Sequence, residues 1–255
     1  MSVRALRLLP VLLAVALVAA VPAEAQATPP RRPQPVLRAE LDPAVRPTVD
    51  RLREALAALA AVDRELMPAE GSSTLRGADE ATLDRRARAR ARVTAGLDTL
   101  LAGGARGRAA IRLLATEWPG MDQVRRAEVR AAFLVRDAAD ALQLVERMQA
   151  AAPRDTQALR WRAEALDSLA RPADALRTRQ ARFELAPEDE DGWRALLRAH
   201  EAAGTLPRLR DSLARLRIVY PDSRAVREHE IEVLHRLGRR DEALRLMADT
   251  LGVSR

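Results

Sequence analysis

Four prolines of this sequence are spaced 34 residues apart, an interval that we term the repeat period. They are Pro119, Pro153, Pro187 and Pro221. The chain contains 15 prolines, so this spacing could arise by chance unless other positions repeat with it. A period of about 34 residues is typical of helix–turn–helix repeats, whose units bury their apolar faces only by stacking on one another. No other feature constrains the fold as strongly.

Other positions do repeat with the prolines. Seventeen residues after the last two prolines lie Gly204 and Gly238, where a helix can end in a left-handed residue before the chain turns back. Ten residues after each proline the side chain is apolar, and twenty-two residues after it three of the four units hold alanine. The apolar column is Val129, Ala163, Leu197 and Ile231, and the second column is Ala141, Ala175, Leu209 and Ala243. We therefore predict an all-α chain of antiparallel helix pairs.

The pattern resembles the tetratricopeptide repeat (TPR) family. The period, the small residue before leucine early in the second helix, the terminal proline and Trp193 six residues after Pro187 carry the likeness. The other units depart from it by holding Arg125, Leu159 and Arg227 in the tryptophan position. The resemblance implies a right-handed α-solenoid over residues 119–255, in an exported bacterial TPR-containing protein. Its units would span residues 119–152, 153–186, 187–220 and 221–255.

The acidic run Glu188–Asp191 lies at one of the joints between units. It lacks the glycine-spaced alternation of a calcium loop, and the start of a helix is where acids satisfy free amides and oppose the helix dipole. The histidines His200, His229 and His235 also lack the spacing of a metal site. We predict capping here, and neither a metal nor a cofactor.

Residues 43–118 are predicted to add further helices before the repeats. Leu52, Leu56 and Leu59 recur at helical spacing, and either Thr48 or Asp50 is expected to cap that helix. A second helix is expected over residues 80–101, ended by two glycines, and a third over residues 108–118. The sequence leaves open whether this region holds decayed repeats or a separate helical cap.

The first residues predict export. Arg4 and Arg7 precede an apolar run, Leu8–Val21, and a small-x-small motif ending at Ala25. The run has 14 residues, fewer than the roughly 20 that a membrane-spanning helix needs. We predict a signal peptide over residues 1–25, cleaved after Ala25, and a proline-rich tether over residues 26–42. The expected location is the periplasm or outside the cell.

Nothing in the sequence predicts an enzyme. There is no cysteine, no nucleophile-elbow serine and no glycine-rich phosphate loop. The net charge is +7 but aromatic residues are only 2%, which does not favour nucleic acid. We therefore expect a non-catalytic binding or scaffold protein.

The resemblance implies that the first helices line a groove for a peptide or partner protein. Its contact positions would be the seventh, eleventh and fourteenth after each proline. Charges there run from basic to acidic along the chain, so arginine forks could hold carboxylates of a ligand. The other interpretation, left open, is that these are solvated charges, several of them paired. The residues are Arg126, Arg130, Phe133, Arg160, Glu164, Asp167, Arg194, Arg198, Glu201, Glu228, Glu232 and His235.

Two further surfaces are predicted. The arginine-rich helix segment 85–92, with Arg85, Arg88 and Arg92, could bind an anionic envelope polymer or membrane surface, although a solvated helix face explains it as well. Solenoids normally end in a polar cap. Leu244, Met247 and Leu251 are therefore expected to be partly exposed and could support self-association through the last helix.

Overall fold

The computed structural model describes residues 40–67 and 79–250. Within these two ranges the chain forms eleven α-helices and no β-strand, which confirms the all-α class. Most helices pack against the next helix along the chain, as in a helical repeat. The helices are α1 Arg46–Leu66, α2 Glu80–Ala102, α3 Ala105–Glu117, α4 Asp122–Leu134, α5 Ala138–Ala151, α6 Thr156–Ser168, α7 Pro172–Leu185, α8 Glu190–Ala202, α9 Leu206–Val219, α10 Arg224–Arg236 and α11 Arg240–Thr250.

The predicted signal peptide, most of the predicted tether and Leu251 lie outside the described residues. Leu41, near the end of the predicted tether, is buried in the core formed by α1 to α4. The next residue, Asp42, pairs with Arg106 at 3.2 Å. The packed part of the chain therefore includes Leu41 and Asp42. In the described ranges, none of the helices combines the length and the apolar character that a membrane span requires.

The helices after Pro119 keep the period of the prolines. The first helices α4, α6, α8 and α10 begin at residues 122, 156, 190 and 224, and the second helices α5, α7, α9 and α11 begin at residues 138, 172, 206 and 240. In each series, every start follows the previous one by one repeat period. Ala141, Ala175, Leu209 and Ala243, one column of the predicted pattern, are all fully buried.

The third helix also follows this register. It ends at Glu117, one repeat period before α5 ends at Ala151. Gly107 precedes Ala141 by the same interval and lies in the same buried column. An added Cβ at Gly107 would lie 1.6 Å from the Leu100 carbonyl oxygen, so α2 and α3 approach each other there without room for a side chain.

The starts of three first helices are capped at equivalent positions. The side chains of Asp155, Asp189 and Ser223 each accept a backbone amide of the following turn. Asp189 accepts from the Gly192 amide at 3.2 Å, which confirms the predicted capping role for this residue of the acidic run.

The cap predicted for α1 was wrong. The helix begins earlier, at Arg46, and its N-cap residue Val45 makes no side-chain hydrogen bond to it. Pro47 lies in the first turn, where its fixed φ favours helix and its missing amide needs no partner. Thr48 and Asp50 therefore lie inside the helix.

The turn within each unit contains a left-handed residue. Arg136, Ala170, Gly204 and Gly238 have φ values of 59°, 56°, 65° and 72°. The amide of the following residue donates to the carbonyl five residues earlier, as in the Ala170 turn, where Arg171 donates to Leu166 at 2.8 Å. The glycine signal predicted only two of these four turns, because arginine and alanine occupy the same strained position in the others.

We expect Ala170→Gly to stabilise the protein by about 0.5–1 kcal/mol, because it removes left-handed strain that exceeds the added freedom of the unfolded chain. Gly204→Ala should destabilise it by a similar amount, although a Cβ there meets nothing within 4 Å. Urea unfolding followed by circular dichroism measures both. Equal effects of the same sign would contradict the interpretation.

Candidate binding groove

Helices α6, α7 and α8 enclose a cleft of about 410 Å³, which we term the central cleft. It brings together four of the predicted contact residues, Arg160 and Glu164 on α6 and Arg194 and Arg198 on α8. It also contains three charged residues that the pattern did not indicate. These are Arg179, Arg182 and Asp191.

Most charges of the central cleft are paired. On α6, Arg160 Nε donates to Glu164 at 3.0 Å, and on α8, Arg194 contacts Glu190 at 2.9 Å. Both pairs are four residues apart on one helix and are roughly half exposed, so each contributes little to stability. Arg198 is exposed and has no carboxylate partner within the described residues.

Two arginines of α7 form the floor of the cleft. Arg179 pairs with Asp167 of α6, and Arg182 donates to Asp189, the cap of α8, at 2.5 Å. The Arg182 side chain is only 12% exposed, and its buried Nε atom has no hydrogen-bond partner. These arginines therefore join α7 to both walls of the cleft.

The predicted contacts of the first unit are held by their neighbours. Arg126 contacts Asp122 at 2.5 Å and Asp155 at 2.7 Å, and its guanidinium carbon lies 5.9 Å from the centre of the Trp161 ring. Arg130 contacts Asp98 of α2 at 3.1 Å. Both arginines therefore link α4 to a helix two places away along the chain, Arg126 to the cap of α6 and Arg130 to α2.

The acidic residues predicted at the C-terminal end of the groove also have hydrogen-bond partners. Glu232 accepts a hydrogen bond from Trp193 Nε1 at 2.7 Å and another from Arg236 at 2.6 Å, and Glu228 accepts from Arg224 at 2.6 Å. His235 is exposed. The predicted contact positions do change from basic to acidic along the chain. Most of these charges are nevertheless paired with residues that lie outside the predicted contact positions.

The arginine-rich helix is less compensated. Arg85 donates to Glu65 at 2.9 Å. Arg88 and Arg92 are exposed on the same face of α2, and neither has a carboxylate partner in the part of the chain that the structure describes.

Trp193 of α8 forms the joint between the helix pair α8–α9 and the helix pair α10–α11. It is 1% exposed, stacks on His229 at a ring distance of 4.1 Å and an angle of 18°, and contacts Phe183 at 5.5 Å. His229 Nε2 lies 3.3 Å from the Pro187 carbonyl oxygen. Trp193 is thus a packing residue, which also positions Glu232.

Two histidines of this region are buried, and burial disfavours their charged form. Burial lowers the pKa of His229, and the hydrogen bond to Pro187 and the nearby carboxylates oppose that shift. Burial also lowers the pKa of His200, whose Nδ1 lies 2.9 Å from the Thr205 hydroxyl oxygen. Protonation of either ring therefore favours the unfolded chain.

We expect the free energy of unfolding to fall as the pH drops below about 6.5, the ordinary pKa of histidine, because the unfolded state then binds more protons than the folded state. His229→Phe keeps a stacked ring but cannot titrate, so its stability should change less between pH 8 and pH 5.5. Urea unfolding at the two pH values measures this difference.

The exposed His235 provides a matched control. His235→Gln should keep the pH dependence of the wild-type protein. An unchanged pH dependence in His229→Phe would contradict the role assigned to the buried ring.

Metal chemistry gains no support from this geometry. Across residues 40–67 and 79–250, no three histidine, aspartate or glutamate side chains form a group that could hold a metal ion.

No protein-family model matches the chain, and no curated protein matches its sequence. The helices and the central cleft therefore carry the information about function.

Proposed function

We propose that this protein is an exported, non-catalytic scaffold that binds a peptide or partner protein in a groove along its first helices. The observation that carries the proposal is the central cleft, where contact positions of two successive units meet and Arg198 has no partner among the described residues. Extended peptides are commonly held in such grooves by side chains at fixed intervals.

The proposal includes a TPR-like, right-handed solenoid over residues 119–255. The recurrence of helix starts at the repeat period supports it. Because α3 and Gly107 keep the same register, we include residues 85–118 as an earlier, degenerate unit.

Export follows from the signal peptide predicted for residues 1–25, and the mature protein should begin at Gln26, which N-terminal sequencing would establish.

Photo-crosslinking in the cell tests the binding function. A photoreactive residue at Ala195, which lines the central cleft, should capture a defined protein, identified by mass spectrometry. The same residue at Ala91, exposed on α2, is the matched control. Failure to capture any protein specifically at Ala195 would reject the proposal.

Charge reversal tests whether the cleft itself binds. The double variant Arg194→Glu/Arg198→Glu should abolish capture, because it replaces two cations of the cleft by anions. Arg88→Glu/Arg92→Glu makes the same change in net charge on α2 and should leave capture intact.

A second candidate function is binding to an anionic polymer or membrane surface through the α2 arginines. The exposed Arg88 and Arg92, without carboxylate partners among the described residues, favour it. This function predicts sedimentation with vesicles rich in phosphatidylglycerol, falling steeply with salt and lost in Arg88→Gln/Arg92→Gln.

Self-association through α11 is the remaining proposal. Its support is the exposure of Leu244 and Met247 in that helix. Analytical ultracentrifugation of the wild-type protein and of Leu244→Gln/Met247→Gln would test it.

A further inference from the structure

Two charged residues of the central cleft are left without an opposite charge. Asp191 and Arg198 both lie on α8, line the cleft and are exposed. Neither makes an ion pair or a side-chain hydrogen bond within the described residues. The remaining arginines of the lining are matched by carboxylates, in the pairs Arg160–Glu164, Arg179–Asp167, Arg182–Asp189 and Arg194–Glu190.

The two unmatched residues have a defined spacing along the axis of α8. They are seven residues apart on one face of α8, with Ala195 between them on the same face. Seven residues of α-helix correspond to about 10.5 Å along the axis. A ligand in the cleft therefore meets an anion near the start of α8 and a cation two turns later, separated by a small side chain.

The size of the cleft limits the conformation of its ligand. The cleft has a volume of about 410 Å³. An α-helix with its side chains is about 10–12 Å across, so even a short helix would need a larger space. A single extended segment suits this space better. In a polyproline II segment, side chains three residues apart lie on one face at a separation of about 9.3 Å, close to the axial distance between the positions of Asp191 and Arg198 on α8.

We infer that the central cleft selects an extended segment carrying one acid and one base three residues apart. This inference rests on the binding function proposed above and names the chemistry of its ligand. The acid of the ligand pairs with Arg198 and the base pairs with Asp191. A segment with two like charges is disfavoured, because one of them faces the α8 residue of its own sign.

A panel of peptides against charge variants tests the inference. Dye-labelled octapeptides PPEPPRPP, PPEPPEPP and PPRPPRPP are titrated, at low salt, into the wild-type protein, Asp191→Arg and Arg198→Glu, with fluorescence anisotropy as the readout. The wild-type protein should prefer the mixed peptide, Asp191→Arg the diacidic peptide and Arg198→Glu the dibasic peptide. Each preference should be up to about fivefold, the range of exposed ion pairs.

Two controls separate a site from a general charge effect. Arg64→Glu makes the same charge change as Arg198→Glu but lies on α1, outside both candidate binding surfaces, so it should keep the wild-type preference. The peptide PPERPPPP has the same composition with adjacent charges and should bind more weakly than PPEPPRPP. A shift in Arg64→Glu equal to that in Arg198→Glu, or equal binding of the two mixed peptides, would overturn the inference.

The peptide panel and the crosslinking experiment fail independently. Specific capture at Ala195 with no preference among the peptides would keep the binding function and reject the ligand chemistry. The expected preferences without any captured protein would support the ligand chemistry and count against a protein partner in the cell.

Discussion

Gly107→Ala is expected to destabilise the protein by about 3 kcal/mol or more, because overpacking against a fixed backbone cannot be relieved by a side-chain rotation. The added Cβ would lie 1.6 Å from the Leu100 carbonyl oxygen and 2.5 Å from its carbonyl carbon. Relief requires α3 to move away from α2, which disrupts the core that both helices share with α1 and α4. Helix propensity alone predicts the opposite sign, since alanine favours helix more than glycine.

The matched control is Gly120→Ala, in the turn before α4. A Cβ there meets no atom within 4 Å, and φ at this glycine is not left-handed. Its effect should stay within about 0.5 kcal/mol. Both variants are compared by urea unfolding followed by far-ultraviolet circular dichroism. Similar stabilities would show that α2 and α3 do not approach as closely as described.

Trp193→Ala should cost about 3–5 kcal/mol of stability, as expected for removing a fully buried aromatic residue. The variant loses the stack on His229 and the contact with Phe183, and it opens a cavity at the joint between α7, α8 and α10. It also removes the indole donor that positions Glu232.

Two other variants divide this effect into its parts. Trp193→Phe keeps a ring but has a smaller side chain and no indole donor for Glu232, so it should cost less than Trp193→Ala. Trp161→Ala, at a half-buried tryptophan, should cost less than Trp193→Ala. If both alanine variants lost equal stability, the assignment of Trp193 as the joint would be wrong.

The sequence predicted the helices after Pro119 well because their signals are local. The starts of the helix pairs follow the prolines, and Asp189 caps α8 within its own turn. The left-handed residues Arg136 and Ala170 were not predicted, since neither side chain favours that conformation. Their turns are imposed by the packing of the helices on either side.

The site was predicted less completely. Arg160, Arg194 and Arg198 share one cleft because equivalent positions of successive units face the same way. The partners of other groove residues come from different helices, such as Asp98 for Arg130 and Trp193 for Glu232. Such pairs depend on how the units stack, so charge order along the columns could not reveal which charges remain free.

The constant spacing of the helix starts has a consequence for changes in chain length. Excision of residues 153–186 would bring α5 directly before α8, whose start lies one repeat period beyond that of α6. The cap at Asp189 and the turn before it would then occupy the places of Asp155 and its turn. Loss or duplication of one such segment therefore keeps the order of caps and turns along the chain, whereas a length change that is not a whole number of repeat periods breaks that order. A chain built in this way can change its length by whole units without changing the local signals that start and end each helix.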